Sequence, residues 1–121
     1  IYGVWEFRKQ GVMVGDTPVL EDRPLETPCT EYDKMVYSEN GIWTQFDYDN
    51  YPSGTCTLFN DDGTFTFQDN IITHIEENQN PEYGNGKYYI LELTSTIMSY
   101  KYIFYGENGA EWRVKYFVKA D

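Results

Sequence analysis

A chain of 121 residues with 9 basic and 20 acidic side chains carries a net charge of −11. That field should repel polyanions, and the sequence shows no basic patch to release counterions, so nucleic acid and anionic membrane surfaces are expected to be poor partners. The length fits one domain spanning residues 1–121, large enough for a core without a structural metal, and no apolar run is long enough to span a bilayer.

Aromatic residues make up 18% of the chain, and that richness favours pleated, half-buried surfaces over helices. The period-two pattern begins at once, with Trp5 and Phe7 alternating with Glu6 and Arg8. A Gly/Pro-punctuated stretch from Gly11 to Pro28 follows and reads as a long loop of the lid or flap kind, with Val12-Met13-Val14 available for local pairing. Lys34 to Ser38 leads through Asn40-Gly41, a strong hairpin signal, into a strand from Ile42 to Tyr48. Tyr51-Pro52-Ser53-Gly54 turns the chain again. Thr55 to Phe59 and Thr64 to Gln68 read as a hairpin around Asp61-Asp62-Gly63, and Ile71 to Glu77 as the next strand. The Asn/Gly/Pro tract from Asn78 to Gly86 predicts an exposed loop.

Three strands close the chain, Tyr88 to Thr94, Tyr100 to Tyr105 and Glu111 to Lys119, the last two joined through Gly106-Glu107-Asn108-Gly109. In the final strand Trp112, Val114, Tyr116 and Val118 share a face that predicts burial, opposite Glu111, Arg113, Lys115 and Lys119. Phe117 alone breaks that pattern. Evenly spaced short strands with tight turns predict an all-β fold, a single antiparallel up-and-down barrel of eight to nine strands. A two-sheet sandwich is the alternative, since alternation alone does not separate the two.

Tyr2-Gly3-Val4-Trp5-Glu6-Phe7 carries a Gly-x-Trp signature and resembles the first strand of the lipocalin and calycin barrels. Asn60 to Phe67, Tyr88 to Thr94 and the ending from Tyr100 to Lys119 are similar to corresponding segments of the bacterial lipocalin-like domains. The resemblance implies a lipocalin-like barrel whose Trp5 plugs one end, with Gly3 allowing close approach. It also implies an Arg on the last strand packed across that Trp, for which Arg113 is the candidate and Lys115 the alternative. Such relatives are small exported or surface-anchored proteins, so the resemblance implies a periplasmic or cell-surface location, any export signal having been removed ahead of Ile1.

Candidate chemistry is sparse. Cys29 and Cys56 are either free buried thiols or one disulfide closing a loop of about 28 residues, and they are too few for a four-ligand metal site. His74, the only histidine, has no nucleophile elbow near it and reads as a core residue. The acidic pairs Asp47 with Asp49, Asp61 with Asp62 and Glu76 with Glu77 show no glycosidase or EF-hand pattern. The expectation is a protein without catalytic residues, cofactor or metal.

Aromatics carry what remains. Trp5, Phe7, Phe46, Phe65, Phe67, Tyr102 and Phe104 fall on predicted inward faces, where core packing and cavity lining look alike. As cavity lining, Tyr37, Phe46, Phe67, Tyr89, Tyr100, Tyr102, Trp112 and Tyr116 would hold a small apolar or amphipathic ligand, with phenol hydroxyls setting its orientation. Trp43 shares a face with Gln45 and Asp47, opposite Ile42, Phe46 and Tyr48, and predicts an exposed ring able to stack on a glycan or anchor a protein partner.

Overall fold

The period-two pattern folds into nine antiparallel strands, and no helix occurs among the described residues. The structure is a computed structural model and describes residues 1–25, 27–50, 54–75 and 86–120. The strands are β1 (Gly3–Val14), β2 (Thr17–Asp22), β3 (Lys34–Tyr37), β4 (Ile42–Asp49), β5 (Thr57–Gln68), β6 (Ile71–Ile75), β7 (Lys87–Leu93), β8 (Ile97–Gly106) and β9 (Gly109–Lys119). The sheet runs β2-β1-β3-β4-β5-β6-β7-β8-β9 and closes through a β1–β9 pairing. Closure removes the edges that a sandwich would keep.

The barrel proper has eight strands, with β2 as an addition. One edge of β1 pairs with β9, while the other is shared, Gly3 to Glu6 with β3 and Lys9 to Val14 with β2. The stretch read from sequence as a long loop is therefore, in its first half, a β1–β2 hairpin turning at Gly15, whose φ is +62°. Pro18 is tolerated there because β2 pairs on one side only. A register shift between Phe7 and Lys9 places a bulge at Arg8, so Phe7 and Gln10 both face inward.

The predicted hairpin at Asp61-Asp62-Gly63 does not form. All three residues lie within β5, opposite Gln45, Thr44 and Trp43. The chain turns instead at Asp69 and Asn70, with φ of 55° and 62°, the left-handed pair that a two-residue hairpin requires. Gly63 serves packing: a Cβ there would lie 2.2 Å from the Ile75 carbonyl oxygen and 2.7 Å from the Trp43 indole nitrogen. The sequence-read turn at residues 51–53 and the loop at residues 78–85, with Glu76 and Glu77, lie outside the described residues.

The base of the barrel is filled. Trp5 and Tyr37 pack there with Ile72, Met98, Tyr100 and Phe117 as its largest fully buried side chains. The Trp5 indole N–H donates to the Ile1 carbonyl at 2.7 Å. The cation across its ring is Lys119, with Nζ 4.5 Å from the ring, and not Arg113 or Lys115. Lys119 also donates to the Tyr2 carbonyl. Gly3, at φ +130°, leaves room for the end of that lysine.

At the other end, Cys29 and Cys56 form a disulfide that ties the segment after β2 to the start of β5. Their separation of 27 residues predicts a loss of about 3–4 kcal/mol on removal in the chain-entropy model. The double Cys→Ser variant is expected to melt roughly 10–15 °C lower. Thermal denaturation followed by circular dichroism checks this, and an unchanged midpoint contradicts it.

Candidate ligand site in the barrel mouth

The face assignments of two strands come out reversed. In β4 the inward residues are Trp43, Gln45 and Asp47, and in β9 they are Arg113, Lys115 and Phe117. Phe46, Trp112 and Tyr116 consequently lie on the outer face. The reason is that this barrel's interior is apolar at its base and polar at its mouth, so alternation of greasy and charged residues misreports inside and outside.

Above the base sits a buried aromatic layer around His74. The His74 ring stacks on Trp43 at 4.8 Å with planes 12° apart, and its Nε2 shares a 2.6 Å hydrogen bond with the Tyr37 hydroxyl. Tyr88 packs against the same ring at 4.5 Å. Burial disfavours the imidazolium and holds the His74 pKa down to about 3, with the positive charge of Lys115 adding to the effect. Burial likewise pushes the Tyr37 hydroxyl well up. His74 is a neutral core residue, as the sequence indicated. Trp43 is only 3% exposed, so it offers no surface for stacking on a glycan.

The mouth holds a cavity of about 350 Å³, within the range of small-molecule sites. Its apolar floor includes Phe7, Met35, Tyr102 and Phe117. Its walls are charged. Four of the chain's nine basic side chains line it, Arg23, Lys34, Arg113 and Lys115, against Asp33, Asp47 and Asp49 from its twenty acidic ones. In a chain where acidic side chains outnumber basic ones about two to one, this opening thus carries slightly more basic than acidic groups.

Most of these charges are engaged. Arg23 bonds Asp33 at 3.0 Å and lies over the Phe7 ring at 4.0 Å. The other Asp33 oxygen accepts the Tyr48 backbone N–H at 2.8 Å. Gln45 donates to both oxygens of Asp47, at 3.0 and 2.9 Å. Arg113 covers the Phe104 ring at 3.6 Å and bonds Glu111 at 2.7 Å. Lys115 reaches into the cavity between two rings, 5.2 Å from Phe7 and 5.4 Å from Tyr102.

Desolvation shapes the pair at the centre. It lowers the Lys115 pKa to about 8, partly opposed by Asp47, and it raises the Asp47 carboxyl above the usual carboxylate range. Lys34, by contrast, bonds Glu31 at 3.0 Å, which raises its pKa and keeps its amine charged.

Of the aromatics named as ligand lining, Tyr102 borders the cavity, while Tyr37 and Tyr100 are completely buried beneath it. Tyr89 lies outside against Trp112, at 5.6 Å and nearly edge-on, and Lys101 caps that same Trp112 ring. Tyr116 meets Lys9 on the outer face. Phe67 shares the face of Phe65 but is 37% exposed near the β5–β6 turn. The polar lining, Lys115 with Arg23, Gln45 and Asp47, is what reasoning from hydrophobicity missed. The out-of-phase Phe117 was the one signal that β9 turns its charged face inward.

A closed eight-stranded antiparallel barrel, plugged at one end and open at a mouth cavity, defines a class of small-ligand-binding barrel. A family model described as a lipocalin-like domain matches residues 1–100. The chain belongs to that family.

Solved structures agree on the fold. A deswapped triple mutant of bovine odorant binding protein is 19% identical with a TM-score of 0.52, the match covering 98% of this chain and 72% of that one. The complex of the bovine protein with undecanal is 18% identical, TM-score 0.52, covering 98% and 70%. Odorant-binding protein from bovine nasal mucosa is 18% identical, TM-score 0.53, with the same coverage. No curated protein sequence matches the chain.

Proposed function

We propose that the protein is a non-enzymatic binding module that takes one small amphipathic molecule into the barrel mouth. The observation that carries this reading is the cavity of about 350 Å³, with an aromatic floor and a cation-rich wall. The apolar part of the ligand rests on Phe7, Tyr102 and Phe117, and its electron-rich polar group faces Lys115 and Arg113. The filled base limits the ligand to the upper barrel, so a long chain inserted along the whole axis does not fit. Binding of small ligands by structural neighbours, undecanal among them, is in keeping with this use of the fold.

The module works in an oxidising compartment, exported to the periplasm or cell surface. The Cys29–Cys56 disulfide supports that location, since such bonds persist where thiols are not kept reduced.

Titration with an anilinonaphthalene sulfonate dye is expected to show one saturable site per chain. Gln10 borders the cavity, and Gln10→Trp fills it, so this variant should bind the dye at least about tenfold more weakly at unchanged melting temperature. Equal affinity in both proteins, or no saturable binding in either, refutes the mouth as the site.

A further inference from the structure

Lys115 differs from the other lysines in its surroundings. It projects from the middle of β9 into the cavity, with Gln10 of β1 and Tyr100 of β8 as its cross-strand neighbours. Its amine sits between the Phe7 and Tyr102 rings, close enough for a cationic nitrogen to be stabilised by both. Asp47 faces it from β4 and acts on it electrostatically. Lys34, also at the mouth, is tied to Glu31, and Lys119 is committed to Trp5 and the Tyr2 carbonyl.

We propose that Lys115 captures small aldehydes entering the mouth as a covalent, reversible Schiff base. The inference rests on the mouth being the ligand site and names the ligand chemistry that site selects. The neutral Nζ lone pair attacks the carbonyl carbon and forms the C–N bond, while the carbonyl π pair moves onto oxygen, which takes up a proton. The nitrogen then loses a proton to the Asp47 carboxylate. The carbinolamine C–O bond breaks as the hydroxyl receives a proton from the Asp47 carboxyl and leaves as water, and the nitrogen lone pair completes the C=N bond. Amine, aldehyde and the one proton that the oxygen takes from solvent give protonated imine and water, and no oxidant or reductant is consumed. The protonated imine that results is a cation held between two aromatic faces with Asp47 opposite.

A lysine whose pKa lies at about 8 supplies far more neutral amine near pH 7 than a solvated one does. The other titratable groups lining the cavity with it are Arg23 and Asp33 from the segment between β2 and β3, Lys34 on β3, Asp47, Tyr48 and Asp49 on β4, Tyr102 on β8 and Arg113 on its own strand. Adduct formation is therefore expected to rise as pH approaches about 8.

The test uses the oxidised full chain with benzaldehyde and sodium cyanoborohydride, followed by peptide mapping. Reductive benzylation at Lys115 should exceed that at Lys9, Lys34, Lys87, Lys101 and Lys119 by about tenfold or more. Lys115→Gln should lose that adduct while the other lysines label as they do in the wild type. Should the variant fail to fold, the wild-type map decides alone. Labelling spread over exposed lysines with Lys115 unmodified overturns the proposal. Benzyl alcohol, which has the ring but no carbonyl, separates the two readings: if it displaces the dye while benzaldehyde leaves no adduct, the mouth stands as a site and the covalent step fails.

Discussion

Replacing Trp43 with Ala is expected to lower the free energy of unfolding by about 3–5 kcal/mol, the usual cost of deleting a buried indole. Trp43 is 3% exposed, stacks on His74, and lies opposite both Tyr37 and Gly63 across its neighbouring strands. Its removal opens a void that the barrel wall has no means to close, because the backbone at Gly63 is already pressed against the ring. Against a typical total stability of about 5–15 kcal/mol the loss is severe. Trp43→Phe provides the contrast. The indole N–H has no hydrogen-bond partner among the described residues, so Phe gives up area but also removes a buried unsatisfied donor. Its cost should be no more than about 1–2 kcal/mol. Urea denaturation monitored by circular dichroism distinguishes the pair. A Trp43→Ala midpoint equal to wild type means that the ring is not buried.

Acid should destabilise the protein through His74. In the unfolded chain this imidazole protonates near pH 6.5, whereas in the fold it resists until about pH 3. Between those values the unfolded state binds the extra proton, so the contribution is complete above about pH 6.5 and is lost as pH falls toward 3. The loss integrates to roughly 4–5 kcal/mol. Asp47 works the other way, because its carboxyl is held above the usual range and its protonation relieves a buried charge. The net slope is therefore shallower than His74 alone dictates. His74→Phe removes the titrating ring and should flatten the stability profile between pH 6.5 and 3. At neutral pH it costs about 1–3 kcal/mol, since the Tyr37 hydroxyl loses its partner. Parallel pH profiles for the two proteins sink this account.

The reversal at β4 and β9 shows where reading from sequence stops. Alternation located both strands and placed the chain turn at Gly41 correctly, because side chains of a strand must switch faces at every residue. Which face is inner was decided by assuming a greasy inside. That assumption holds at the base, where Trp5, Met98 and Tyr100 are buried, and fails at the mouth, where Lys115 and Asp47 face the cavity. Phe46, Trp112 and Tyr116 look like core residues but lie on the outer wall, where Lys9 lies over Tyr116 and Lys101 and Tyr89 cover Trp112. The Asp61-Asp62-Gly63 corner failed for a related reason. Gly63 is there because Trp43 needs the space, and only a partner strand reveals that need.

The all-β class, the approximate strands and the core role of His74 were legible in the sequence alone. These depend on local period, composition and charge, which act between near neighbours or through the sum of the whole chain. The inner faces, the Cys29–Cys56 bond, Lys119 as the cation over Trp5 and the cluster of four basic side chains at the mouth emerge only when the sheet closes. Those depend on residues distant along the chain meeting across a closed sheet, where the desolvation of each charge is set by whichever strands happen to face it.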